Sequence, residues 1–326
     1  MSTHYRIAFW NLENLFDIEN SPRREEKVAR AIGRDIAGWT QALLERKISQ
    51  LAAIISQMGL GAGPDLLGVC EVENRFVLEL LVQALAPLGR NYQIVHHDTE
   101  DRRGIDVAFI YDGTRLTVPS GPGIESVFSH FVLRRNATRD IVQVNFMTKK
   151  NRMLVVMGNH WPSRTGGESE SAAYRAMAGE TLSYFHERVL EIYGPTTPVL
   201  ALGDFNDEPF DASLVDYALA QRSKDKVVRG RNPYFLNLMW PLMGNGLGTH
   251  YFDGQNLLDN ILVNRNLLNP ASPIKMVANS ANILRFPIMT EKSTSGPRRF
   301  GGMGKDVDPD GYSDHFPVEV VLTEDD

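Results

Sequence analysis

Short apolar runs recur along the whole chain, and their spacing predicts strands. They are "YRIAFWNL" (5–12), "DLLGVCEV" (65–72), "YQIVHH" (92–97), "GIDVAFIY" (104–111) and "DIVQVNFMT" (140–148) in the first half. "RMLVVMGNH" (152–160), "PVLALGDF" (198–205), "LLDNILVN" (257–264) and "FPVEVVL" (316–322) follow. Several alternate apolar with polar positions, the period of a sheet covered on one face. "RMLVVMG" and "PVLALG" are apolar throughout, which predicts strands buried on both faces.

Helical periodicity interleaves with these runs. Residues 39–59 place Leu43, Leu44, Ile48, Leu51, Ile54 and Ile55 on one stripe, with Gly59 as the expected stop. Residues 74–89 and 168–194 predict two further helices. "DASLVDYALAQ" (211–221) predicts a fourth, with Asp211 as N-cap. Residues 222–250 and the Gly-rich 289–312 read as loops. No repeat of fixed period and no shift in composition marks a boundary, so one domain over 1–326 is expected. The fold class implied is α/β: two packed mixed, mostly antiparallel sheets with helices outside, a four-layer α-β-β-α sandwich.

With 43% hydrophobic and 23% charged residues the chain has ample material for such a core. A net charge of −6 weighs against a broad basic grip on nucleic acid but leaves room for a local cationic patch. The arginine pairs 102–103, 134–135 and 298–299 read mainly as solvated surface. The single cysteine, Cys70, cannot form an internal disulfide, and its apolar run makes it a core residue. The first residues carry no secretion signal and no run could cross a bilayer, so a cytoplasmic location is expected.

Polar residues become informative at the strand ends. Asn11 and Glu13 close the first run and Glu71 the second; His160 closes a third, and Asp204 with Asn206 a fourth. Asp259 opens "DNILVN", and Asp314-His315 precede the last run. Strand ends on one rim of a sandwich converge, so these residues can form one site on a rigid scaffold. Carboxylates at Glu71 and Asp314 suit a hard cation such as Mg²⁺. An Asp paired with a His orients the imidazole and holds its charged form. The amide of Asn206 can donate to a phosphoryl oxygen as charge builds. Together these types point to hydrolysis of a phosphate ester.

"FWNLEN", "GVCEVEN", "GNHWPSR", "GDFNDEP", "LLDNILV" and "YSDHFPV", in this order from residue 5 to about 322, resemble the endonuclease/exonuclease/phosphatase family. That is the fold group of deoxyribonuclease I, exonuclease III, sphingomyelinases and inositol polyphosphate 5-phosphatases. The resemblance implies that Asn11 and Glu71 hold Mg²⁺ or Mn²⁺, with Asp314 completing the metal environment. It implies that Asp204 orients and deprotonates the attacking water, while Asn206 positions it and stabilises the oxyanion. His315 would bind the scissile phosphate, Asp259 would fix its tautomer, and His160 would serve the leaving oxygen. Arg103 and Arg164 would contact substrate phosphate, and Glu13 receives no fixed role. The expected substrate is a phosphate ester, with a lean to nucleic acid over inositol phosphates or lipid head groups, and the expected state is a monomer.

A calcineurin-like metallophosphatase is excluded, because Gly-Asn-His here precedes Gly-Asp and no early Asp-x-His exists. "DVDPDG" (306–311) opens like a calcium loop but places Pro317 where a bidentate Glu is needed. A non-catalytic binding module is the remaining alternative, and it predicts a lost catalytic residue; none is lost.

Overall fold

The computed structural model describes residues 2–33, 36–97, 105–132, 139–164, 167–301 and 307–326. Strands β1 (Thr3–Leu15), β2 (Leu66–Val72), β3 (Tyr92–His96), β4 (Asp106–Asp112), β5 (Leu116–Thr117) and β6 (Val127–His130) come first. Then come β7 (Ile141–Thr148), β8 (Met153–His160), β9 (Val199–Asp204), β10 (Ala220–Gln221), β11 (Phe235–Asn237) and β12 (His250–Tyr251). The last are β13 (Gln255–Asn256), β14 (Asp259–Asn264), β15 (Ile274–Met276), β16 (Asn282–Ile283) and β17 (Val318–Glu324). Nine of them fall on the nine runs singled out by hydrophobic pattern.

Among the described residues, one sheet runs β15-β17-β1-β2-β4-β3 with β16 on β17, and the other β10-β11-β14-β9-β8-β7-β5 with β6 on β7. Their inner faces meet at Phe109 of β4, packed edge-on against Phe146 of β7 with ring centroids 6.1 Å apart. The approach is close enough that a Cβ on Gly158 would lie 2.7 Å from Val107 and 2.8 Å from Phe109.

The continuous apolar strands are covered twice, as their composition requires. Leu154, Val156, Leu200 and Leu202 join the core between the sheets, while Val155, Met157, Val199 and Ala201 pack outward with Ala178, Leu182 and Val189 of a long helix, Glu168–Tyr193. The opposite outer face carries α-helices Gln41–Ile55 and Arg75–Ala84, capped by Thr40 and Asn74. The result is a four-layer α-β-β-α sandwich. No helix among the described residues is long and apolar enough to cross a membrane.

Three expectations need correction. Residues 211–221 form one widened helical turn, Ser213–Tyr217, and then strand β10. Asp211 does not cap it with its side chain, which accepts from the Glu208 amide at 2.7 Å and from Arg164 at 2.6 Å. Leu219 at φ 56° ends the turn, which lies so close to Gly179 that a Cβ there would meet the Ser213 carbonyl at 2.3 Å. The helix over 39–59 ends at Ile55, with Gly59 and Leu60 left-handed beyond it. Finally, 222–250 is not all loop: β11 is buried and pairs with β14. Three residues are too few to show a period.

Candidate active site

The topology explains why the strand-end residues meet. Each sheet carries a parallel pair at its centre, β1–β2 and β8–β9, flanked by antiparallel neighbours, and β10–β11 pair in parallel at the edge of the second sheet. The C-terminal ends of β1, β2, β8 and β9 and the N-terminal ends of β14 and β17 therefore share one rim. His160, Asp204 and Asp259 stand opposite one another in a single cross-strand row. Such a row points its side chains to one face. Close approach of β8 to β9 depends on Gly203, where a Cβ would lie 2.2 Å from the Asn159 carbonyl oxygen.

From the other sheet, Asn11 Nδ2 donates to Asp204 Oδ2 at 3.0 Å, and Asn11 Oδ1 accepts from the Glu13 amide at 2.9 Å. Glu13 and Asn14 are left-handed, at φ 50° and 58°, and the β1–β2 register shifts between Asn11 and Leu15. This bulge turns Asn11 toward Asp204 and Glu13 away. Glu71 sits at a second irregularity, at φ 62°. Its Oε2 accepts from the Asn14 amide at 3.0 Å, while Oε1 lies 3.6 Å from His160 Nε2.

Asp204 is 2% exposed. Its Oδ1 accepts from the Asn206 amide at 2.9 Å, and burial pushes its pKa up to about 7, with His315 opposing and Asp259 adding to the rise. His315 donates from Nδ1 to Asp259 Oδ2 at 2.7 Å, leaving Nε2 3.8 Å from Asp204 and 4.0 Å from Asp314. Burial works against its charge, but Asp259, Asp204 and Asp314 together hold its pKa well above the usual histidine range. His160 shows the opposite balance: burial, with Arg139 and His315 nearby, holds its pKa well below 6.5, so it is neutral. The two histidines of one pocket thus carry different charges.

Asn11, Glu71, His160, Asp204, Asn206, Asp314 and His315 line one pocket of about 590 Å³, and Asp259 stands behind His315. The residues fit a hard divalent cation. Glu71 Oε1 accepts no hydrogen bond among the described residues, and the Asp314 side chain is 32% exposed to the pocket. The Asp314 pKa is raised by burial and by the Glu71 carboxylate despite His315, a repulsion that a cation between them would relieve. Asn11 already uses both ends of its amide on protein partners, so its oxygen could serve a cation only through the second lone pair.

Arg164 also reaches the pocket, but its guanidinium is held by the Asn206 carbonyl at 2.7 Å, Asp207 at 3.0 Å and Asp211 at 2.6 Å. It fixes the loop that carries Asn206, whose own Nδ2 donates to the Trp161 carbonyl at 3.0 Å. Arg103 lies outside the described residues. Glu13 is buried, and its carboxylate accepts from Arg299 Nε and from the Phe300 and Gly301 amides at 2.8–3.2 Å. It anchors residues 299–301 rather than facing the pocket. Cys70 is buried, and burial together with Asp204 and Glu71 raises its thiol pKa, as a core residue beside acids should.

Sequence reasoning missed three residues. His250 pairs by an antiparallel bridge with His315, with ring centroids 4.9 Å apart, and Phe252 lines the pocket mouth while 77% exposed. Both lie on the β12–β13 hairpin, whose two-residue strands leave no periodic signal. Lys47, on the apolar stripe of Gln41–Ile55, is fully buried and donates to the Tyr312 carbonyl at 2.9 Å. Its misfit on that stripe was the available signal.

No curated protein matches the chain significantly. Solved structures do. A humanised Danio rerio TDP2 carrying 14 mutations superposes with a TM-score of 0.58 at 12% identity, covering 98% of each chain. An endonuclease/exonuclease/phosphatase family protein from Bacteroides thetaiotaomicron gives 0.56 at 16% identity, over 100% of this chain and 99% of that one. The mannosyl-6-phosphatase Bt3783 of the same species gives 0.54 at 17%, over 98% and 99%. At these identities the likeness is one of fold. The sequence profile described as Endonuclease/Exonuclease/phosphatase family matches residues 6–324, and the chain belongs to that family.

Proposed function

We propose that the chain is a metal-dependent phosphodiesterase of nuclease type, cleaving a P–O bond by in-line attack of a water activated by Asp204. The observation that carries this reading is the hydrogen-bonded series Asp259–His315 facing Asp204–Asn11 across one pocket. In it a charged imidazole and a carboxylate of near-neutral pKa stand 3.8 Å apart.

Asp204 takes the proton of the water, a role for which a base near neutrality is suited. His315, fixed by Asp259, donates from Nε2 to a non-bridging phosphate oxygen. Asn206 retains one amide hydrogen for the developing oxyanion. His160, being neutral, offers the leaving oxygen a hydrogen bond rather than a full proton. Glu71, Asp314 and the second lone pair of Asn11 would hold Mg²⁺ or Mn²⁺, which supplies positive charge to the phosphoryl group when bound. Phe252, exposed at the pocket mouth, favours a substrate with a flat ring to stack, which supports nucleic acid over a sugar or inositol phosphate.

The test is a panel of plasmid DNA, single strands, RNA, phosphoinositides and bis-aryl phosphates, each with several divalent metals. Hydrolysis of nucleic acid is expected, with Asp204→Asn and His315→Gln each lowering kcat by about 10²–10⁴, as expected for removed acid–base groups. The reading fails if no metal supports hydrolysis, or if both variants match the wild type.

A further inference from the structure

The pocket holds two kinds of donor side by side. On the Glu71 side the free donors are carboxylate oxygens. On the other, His250, Asp314 and His315 each present one donor atom, all within 4.8 Å of one another. The backbone bridge between His250 and His315 sets the two rings 4.9 Å apart at 45°. His250 Nδ1 is buried with no hydrogen-bond partner. His315 Nδ1 is held by Asp259, which leaves only Nε2 turned to the pocket. An imidazole backed by a carboxylate is how metal-binding histidines are oriented and made more basic.

Two imidazoles and one carboxylate are a poor set for Mg²⁺ and a good one for Zn²⁺ and its late first-row neighbours. Bonds of about 2.0–2.1 Å put donors about 3.3 Å apart around a tetrahedral ion, so the three groups need to close by at most about 1.5 Å. His250 rides on a hairpin of two-residue strands, His250–Tyr251 paired with Gln255–Asn256.

We propose that His250, Asp314 and His315 form a binding site for Zn²⁺ or a similar borderline metal ion, and that filling it arrests the hydrolysis. The binding half stands on geometry alone; the arrest half rests on the function proposed above. On binding, His315 Nε2 gives its lone pair to the ion and its proton leaves to solvent. The donor meant for the scissile phosphate is then lost, and Asp314 is drawn from the Glu71 side.

The probe is Co²⁺, which reports nitrogen and oxygen ligation by its visible absorption. Co²⁺ is titrated into the full chain in excess Mg²⁺. A saturable band that Zn²⁺ displaces is expected, and His250→Gln should weaken the fitted affinity at least tenfold. The same variant should raise the Zn²⁺ concentration for half-inhibition of Mg²⁺-supported hydrolysis at least tenfold. Should His250→Gln unfold, the wild type still decides: histidine ring NMR signals of two residues must shift on adding Zn²⁺. No band, a band unchanged in the variant, or unmoved ring signals would overturn the site. A band without inhibition would overturn the arrest. Absence of hydrolysis with every metal would sink the function proposed above and leave the Co²⁺ result to judge the site.

Discussion

At the scale of single residues, the site gives like groups opposite protonation. His315 is charged and His160 neutral, and the Asp204 pKa is pushed up to about 7, while Asp259 accepts from the His315 imidazole. The sign of the pH dependence follows. In the proposed mechanism Asp204 must be ionised to accept a proton, so kcat/KM should fall as pH drops through its pKa. That limb lies at about 7 or below, since a bound cation lowers a carboxylate pKa. His315 must stay protonated, so a second loss belongs on the alkaline side, and Asp259→Asn should move that limb to lower pH while reducing kcat. A pH–rate profile of both proteins checks it. Most of these residues were legible, because an acid or amide closing an apolar strand is a local pattern. What Glu13 does was not legible. Its direction depends on a left-handed bulge at residues 13–14 that no hydrophobic period reveals.

At the scale of elements, the helix Glu168–Tyr193 does more than cover a sheet. Its buried Arg175 ion-pairs with Asp207 at 2.7 Å and donates to Ser171 at 2.6 Å, and Asp207 in turn holds Arg164 at 3.0 Å. This chain of charges ties the helix to the loop bearing Asn206. Arg175→Met should destabilise the fold by about 1–3 kcal/mol, because it removes one of the two arginines that pair with the buried Asp207 carboxylate. Denaturant unfolding measures the loss. The same region shows where reading by pattern misleads. Residues 211–221 have a helical composition, yet Asp211 is drawn into that ion network and Gly179 admits the chain too closely for a regular helix. Tertiary contacts override local preference there.

At the scale of the molecule, the sandwich buries charge-sensitive groups far from the site. His186 is fully buried against Phe235, ring centroids 4.0 Å apart, and burial with Arg265 nearby lowers its pKa to about 3. The folded state therefore favours the neutral ring. Its contribution is whole above the unfolded value of about 6.5 and is lost as pH falls toward 3, at about 1.4 kcal/mol for each unit of pH. Unfolding midpoints at pH 7, 5 and 4 should fall more steeply in the wild type than in His186→Phe. The layers were legible because both-face burial leaves continuous apolar strands; sheet order was not, since it is set between segments distant in sequence, as far apart as Thr3 and Glu324.

The pairing of β1 with β17 joins Thr3 to Glu324, and the Trp10 indole donates to the His315 carbonyl at 2.8 Å. During synthesis, β1 waits for β17 until about three hundred further residues have been made. Contacts of such long sequence separation are slow to form. Until β17 docks, His315 has no fixed place beside Asp204 and Asp259, so the site is assembled only with the closing act of folding.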